Sequence, residues 1–272
     1  MYGILTSMNT EHLKTTFDRD GFVIVPGVIS PSRVSELRDM LDGVLEGRVR
    51  PDRAVLVGKD PDAFHMHLEP TVADDPTVPL REKVRIIFHL CHTHSYFWRL
   101  ATAPEILDIV EALIGPDIRF YTDQTFLKPA HHGSEVPWHQ DSGYWPAAEP
   151  RLLSCWLALD DVSEDNGCVR FIPGSHRSVL AHQQVHTGNA TNLTVQPEAL
   201  DSTAEVPVIM TAGSASFHHS LTVHRSLANT SDRARRGLIM IFLPADLTFL
   251  KPWNFPYGFK LVRGTEAVAA SS

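Results

Sequence analysis

Long apolar runs are missing from these 272 residues. Stretches such as Leu238–Leu243 fall far short of the roughly 20 residues that cross a bilayer, so no membrane span is expected. Cysteine is scarce. Cys91, Cys155 and Cys168 form an odd, widely spaced set, which argues against a disulfide framework and against a zinc knuckle. Basic charge is also short: 24 Lys and Arg stand against 32 Asp and Glu, a formal net charge of −8. That balance argues against a nucleic-acid partner, whose phosphates need Lys and Arg. The first residues show no basic region before an apolar core, so a signal peptide is not expected and a reducing, cytoplasmic location is. What the chain does have is histidine, fifteen of them. Most must be surface or core-satisfied residues, and the few that carry chemistry have to be found by position.

The chain changes character near its middle. Thr10 caps a helix that runs to about Phe17, Asp20-Gly21 breaks it, and Phe22–Val25 is a short β-rich run. Ser30-Pro31 starts a second helix, with Val34, Leu37, Leu41, Val44 and Leu45 at helical spacing. Residues 48–82 are irregular and suit either a lid or a plain surface connection. Residues 92–115 predict two helices split at Ala103-Pro104 and closed by Gly115-Pro116. Short β-rich runs follow near 118–128, 136–141, 152–160, 168–172, 206–211, 214–218, 221–224 and 235–243, with Asn166-Gly167 as a tight-hairpin signal. Helices first and strands second, without repeat or linker, predict one domain over residues 1–272. It would be mainly β with flanking helices: a helical part over about 10–115, a jelly-roll core over about 117–243 and a tail over 244–272, ending in a disordered 267–272.

Within the β half, Trp138-His139-Gln140-Asp141 stands out. Strand alternation puts His139 and Asp141 on one face and Trp138 and Gln140 on the other. An imidazole and a carboxylate side by side supply two ligands of a two-His, one-carboxylate metal triad, although a simple His–Asp hydrogen bond explains the tripeptide equally well. A third ligand would come from Phe217–His224. His224 is favoured because it closes an apolar strand, and His218 and His219 are the alternatives. Arg235 and Arg236 then open the run Gly237–Leu243, apolar on both faces. One of the pair must point into the core unless both face the surface. A buried guanidinium needs an anion, and a bound dicarboxylate would serve.

Taken in order, Trp138–Asp141, Ser154-Cys155-Trp156, Asp165–Cys168, Ile172–His176, and His224-Arg225-Ser226 with Asn229 and Arg235 resemble the phytanoyl-CoA dioxygenase family of iron(II)- and 2-oxoglutarate-dependent oxygenases. The Asp20-Gly21-Phe22 start resembles that family too. The resemblance covers about 118–243 and implies a double-stranded β-helix, a cupin-like jelly roll. It implies that His139, Asp141 and His224 bind Fe(II). Arg235 would hold the distal carboxylate of 2-oxoglutarate with help from Ser226, Trp156 would line that pocket, and Arg236 would face away. Departures are Arg225, where the family often has Gly, which would narrow the mouth of the site, and the extra His218-His219 pair. His176 is read as structural, and Ala130–Gly133 as a mobile loop tip beside the site.

The implied cofactors are Fe(II), 2-oxoglutarate as cosubstrate and O2. The implied reaction is hydroxylation of an unactivated C–H bond in a small organic substrate, a secondary metabolite from a bacterial tailoring pathway. Related halogenases carry a small residue where Asp141 stands, so the carboxylate argues for oxygenation. Epimerisation, carbocyclisation and desaturation begin with the same hydrogen abstraction and stay open. The segments 48–82, 142–145 and 178–200 are expected to shape the substrate pocket. Two rival classes fit part of the pattern: a metal-dependent (zinc) hydrolase on the same triad, and a jelly-roll binding protein without chemistry. The sequence carries no sign of oligomeric state.

Overall fold

The strands that place the site belong to two antiparallel sheets. In the computed structural model, residues 7–265 are described apart from 146–148, 188–189, 197, 199 and 251. The larger sheet runs in the order β1 (Phe22–Val25), β11 (Ala215–His219), β6 (Leu153–Ala158), β13 (Arg235–Pro244), β4 (Ile118–Lys128), β3 (Val84–Phe88), β2 (His65–Leu68), and β14 (Lys260–Arg263) also pairs with β4. The smaller sheet is β10 (Val206–Pro207), β7 (Val169–Phe171), β12 (His224–Ser226) and β5 (Val136–His139). A separate hairpin joins β8 (His182–Thr187) and β9 (Ala190–Val195). The two sheets face each other as a jelly roll, and Trp156 and Ala158 of β6 meet Val169 and Phe171 of β7 between them.

Alternation divides the central strands of the large sheet. Leu153, Cys155 and Leu157 of β6, with Leu238, Met240 and Phe242 of β13, pack outward against helices, together with Leu37 and Leu41 of α2 (Pro31–Leu45) and Ile106 and Val110 of α6 (Pro104–Ile114). Each such fully buried side chain contributes about 1.5–3 kcal/mol relative to exposure. The opposite parity, Ser154 and Trp156 in β6 and Ile239 and Ile241 in β13, turns toward the small sheet. Both faces of these strands are thus covered, which is why the run Gly237–Leu243 is apolar throughout.

Helix boundaries follow local chemistry. Helix α1 spans Ser7–Asp20, further on both sides than the predicted 10–17, and stops where Gly21 takes φ 83°. The Ser30 hydroxyl accepts the Arg33 N–H at 3.3 Å, Pro31 opens α2, and Gly115 ends α6 at φ 100°. The predicted 92–115 pair is three helices: α4 (Leu90–Thr93), α5 (Ser95–Ala101) and α6; the remaining helix, α3, is Leu80–Lys83.

Several expectations are corrected. Besides the expected β1, the helical first part holds β2 and β3, all joined to the large sheet, and the irregular 48–82 segment contains β2. The tail beyond 244 returns to the sheet as β14. Strand β12 begins at His224 instead of ending there, and β5 stops at His139. Asn166-Gly167 does not close a tight hairpin, because β6 and β7 lie in different sheets. It sits in a longer turn in which Asn166 Oδ1 accepts Ser163 N–H and Asn166 Nδ2 donates to Asp161 O. The Ala130–Gly133 turn is tied to Pro129 and Ser231 by backbone hydrogen bonds and does not line the site cavity. The expectation of disorder for 267–272 falls outside the described residues.

Candidate active site

Strands β5 and β12 pair so that His224 lies opposite His139, with ring centroids 4.1 Å apart. Each ring faces a carbonyl two residues earlier through Nδ1: His139 to Pro137 O and His224 to Thr222 O, both at 2.8 Å. A carbonyl only accepts, so Nδ1 carries the proton and both Nε2 lone pairs are left for a metal.

Asp141 opens a 3₁₀ turn, Asp141–Tyr144, but Gln140 before it is extended, so residues 139 and 141 still share a face. Asp141 Oδ1 stands 3.7 Å from Nε2 of each histidine. Its Oδ2 accepts Ser154 Oγ–H at 2.7 Å and His218 Nε2–H at 3.1 Å. Ser154 and His218 are cross-strand neighbours on β6 and β11, so the large sheet orients a carboxylate carried by the turn that follows β5 of the small one. The donor atoms of His139, Asp141 and His224 all lie within 4.8 Å of one another. Burial raises the Asp141 carboxyl, but the surrounding His224, His139 and His218 outweigh it and hold the group well below the usual carboxylate range. Burial, reinforced by His139, drives His224 well below the ordinary histidine value. An ionised carboxylate and a neutral imidazole are the forms that bind a metal.

Arg235 shares the inward parity of Ile239 and Ile241 and is 2% exposed. Its Nη2 donates to Gly167 O at 2.6 Å and its guanidinium lies 5.0 Å from the centre of the Trp156 ring. Its Nε has no partner, and no ion pair joins it to any acid among the described residues. Burial pushes it down to about 10, so it stays cationic at neutral pH. Its cross-strand neighbour Lys128 is buried as well and donates to Ser134 O and Leu227 O. Arg236, of opposite parity, bonds bidentately to Asp160 and reaches Asp42 of α2. One arginine of the pair is therefore neutralised on the helix side. The other points inward with charge and donors to spare.

These residues meet in one cavity of about 300 Å³, whose walls include His139, Asp141, His224, Arg235, Ser226 and Trp156. The donor set fits a divalent transition metal with open positions, and the orphaned Arg235 Nε fits the far carboxylate of a dicarboxylate cosubstrate. The chain belongs to the phytanoyl-CoA dioxygenase family. The family's model matches residues 17–237, and its members are iron(II)- and 2-oxoglutarate-dependent oxygenases. Phytanoyl-CoA dioxygenase domain-containing protein 1 of Danio rerio is 27% identical over 88% of this chain and 91% of its own length. A probable alpha-ketoglutarate-dependent hypophosphite dioxygenase of Stutzerimonas stutzeri is 31% identical over 61% of this chain and 60% of its own. Among solved structures, EvdO2 of Micromonospora carbonacea var. aurantiaca in complex with 2-oxoglutarate is 25% identical, with a TM-score of 0.65 over 94% of this chain and 97% of that one.

Other side chains complete the site. Arg225 lines the cavity but is held by two hydrogen bonds to Glu205 and lies over Trp138, 4.6 Å from its centre. His218 is drawn into the site through Asp141. His219 turns away, its ring near His176 and Phe17. The role of Ser154 was missed in the sequence, whereas His218, named there as an alternative ligand, hydrogen-bonds Asp141 instead. Alternation held the signal, since Ser154 shares a face with Trp156, and His218 with Ser216. Gln140, between His139 and Asp141, was also missed. Its side chain donates to Ser178 O and Leu221 O and accepts Leu180 N–H, binding three segments behind the metal site. No helix among the described residues is long and apolar enough to cross a membrane.

Proposed function

We propose that this enzyme hydroxylates an unactivated C–H bond of a small organic substrate, a secondary metabolite, with His139, Asp141 and His224 as iron ligands. The observation that carries the reading is Arg235: a buried, protonated guanidinium with an unpartnered Nε, in the same cavity as an open His-Asp-His triad. When bound, iron(II) with 2-oxoglutarate would supply the dioxygen-dependent hydrogen-abstracting chemistry of the family. The chain's own part is positional. Neutral Nε2 atoms of His139 and His224 and the Asp141 carboxylate would hold the metal, while Ser154 and His218 keep Asp141 oriented. Arg235, propped by Gly167 O and Trp156, would take the distal carboxylate of 2-oxoglutarate, with Ser226 beside it. The apolar walls Ile86, Phe88, Phe126, Ile239 and Ile241 keep water from the reacting carbon. Epimerisation, carbocyclisation or desaturation would use the same apparatus with a different substrate pose. A hydrolase or a bare binding protein would leave the buried Arg235 without a purpose. Three buried, unpaired thiols support a reducing cytoplasmic setting.

The test is an anaerobic titration of apo-protein with iron(II) and 2-oxoglutarate, followed by the visible charge-transfer band of the chelate. The band should form in the native protein, disappear in His224→Ala and require at least tenfold more 2-oxoglutarate in Arg235→Ala, roughly the loss of a charge-assisted contact. No band, together with tight zinc binding, would favour the hydrolase.

A further inference from the structure

The charged groups on the cavity wall are all engaged. Asp141 belongs to the metal triad and is held by Ser154 and His218. Arg235 is assigned to the cosubstrate. Arg225 is neutralised by Glu205. His67, at the rim, is kept below its ordinary value by burial and by the neighbouring His65 and Arg85. Among the described residues the wall left for a substrate is therefore uncharged: Ile86, Phe88, Phe126, Trp145 and Ile241, with a few neutral polar groups.

One of those neutral groups has no internal purpose. Asn192, on β9, lines the cavity, is 9% exposed, and its Nδ2 makes no hydrogen bond within the protein. A buried amide without a partner costs about 1–3 kcal/mol. Its position relative to the metal ligands is set by three ties. The His182 ring on β8 accepts the Gln140 N–H through Nε2 at 2.9 Å, between His139 and Asp141. The Tyr144 hydroxyl accepts the Leu193 N–H at 2.9 Å. The Tyr144 ring stands edge-on to His139 with centroids 5.6 Å apart. Gly143 lets the turn approach this closely, because a Cβ there would lie 2.9 Å from the His182 ring. The hairpin is thus braced to the very segment that carries two of the three triad residues, and Asn192 rides on it.

We propose that the β8–β9 hairpin is the substrate-reading wall of this site, that Asn192 hydrogen-bonds an uncharged oxygen of the substrate, and that the substrate enters as a neutral molecule with an apolar body. This rests on the oxygenase reading above. A carboxylate, phosphate or ammonium group placed in the cavity would lose its hydration without gaining an opposite charge, so charged metabolites of similar shape are rejected. A neutral ring or chain carrying a carbonyl, hydroxyl or ether oxygen meets both the apolar wall and the free amide.

The test uses three probes of one shape: methyl cyclohexyl ketone, cyclohexanecarboxylate and cyclohexylmethylamine. Mn(II) and 2-oxoglutarate are loaded into the full chain, and paramagnetic relaxation of each probe's protons is titrated. The ketone should show saturable relaxation at a concentration at least fivefold below the two charged probes. Asn192→Leu, of similar volume, should raise the ketone's half-saturation five- to tenfold, and Asn192→Ala should do the same. The iron(II)–2-oxoglutarate absorption band is recorded on the same variants and should be unchanged. Equal binding of all three probes, no saturable ketone signal, or a ketone affinity indifferent to Asn192 overturns the proposal while the band persists. Loss of the band in the native protein instead overturns the oxygenase reading.

Discussion

At the residue scale, the site depends on hydrogen bonds that set which atom of each ligand is free. His139 and His224 each use Nδ1 on a carbonyl, and Asp141 uses Oδ2 on Ser154 and His218, which turns three donor atoms toward one point. Partners of this kind typically change metal affinity by about 10–100-fold when removed. Ser154→Ala is therefore expected to weaken Mn(II) binding by roughly tenfold, with little change in thermal stability, because the lost hydroxyl leaves no void larger than one oxygen. Isothermal titration with Mn(II) checks this. An unchanged affinity would mean that the 2.7 Å contact does not orient the carboxylate.

At the scale of elements, β13 holds the Arg235 side of the cavity together by alternation. Gly237 is the position where the strand backbone meets the face of Trp156, and a Cβ there would lie 2.3 Å from the ring. The glycine is needed for close approach, not for unusual dihedrals. Trp156 in turn supports Arg235, so the three residues act as a stack. Gly237→Ala should displace the indole, cost about 1–3 kcal/mol of stability and weaken 2-oxoglutarate binding more than metal binding. Paired titrations of metal and of 2-oxoglutarate on the variant separate the two effects, and equal losses in both would point to general unfolding of the strand.

At the scale of the whole molecule, buried titratable groups set the pH response. Burial lowers His89, His92 and His219 to about 4. Each is neutral in the folded state, whereas the unfolded chain takes up a proton below about pH 6.5. Their stabilising contribution is complete above that pH and is lost as pH falls toward 4, about 1.4 kcal/mol per pH unit for each group. Asp123 acts in the opposite sense. Burial raises it to about 7 against hydrogen bonds from Cys91, so its contribution is present at low pH and lost as pH rises toward 7. With His65, His67, His94, His176 and His182 also lowered by burial, the histidines outweigh Asp123 and predict a net fall in melting temperature between pH 6.5 and 4.5. Asp123→Asn should make that fall steeper by removing the opposing group. A melting temperature that is flat across the window would show that these histidines are not held neutral.

Much of this was legible locally. Ser30-Pro31 and Gly115 mark helix ends through backbone chemistry that needs no distant partner, and alternation put Arg235 and Arg236 on opposite faces while the family resemblance chose Arg235 as the inward one. Alternation also put His139 and Asp141 on one face, even though Asp141 is in a turn. The strands that escaped notice, His65–Leu68, Val84–Phe88, His182–Thr187, Ala190–Val195 and Lys260–Arg263, are short, and their extended state is fixed by hydrogen bonds to neighbouring strands more than by their own pattern. Asn166-Gly167 misled because the same dipeptide serves a hairpin or a longer turn, and only the separation of β6 and β7 into two sheets decided which. The sequence by itself determined the residue types of the site and the face each one takes. The tertiary structure decided which histidine of His218, His219 and His224 stands opposite His139, and which oxygen of Asp141 is held back. It also decided that Asn192 faces the same cavity. Those choices depend on strand register between distant segments, and register is settled by the packing of whole sheets.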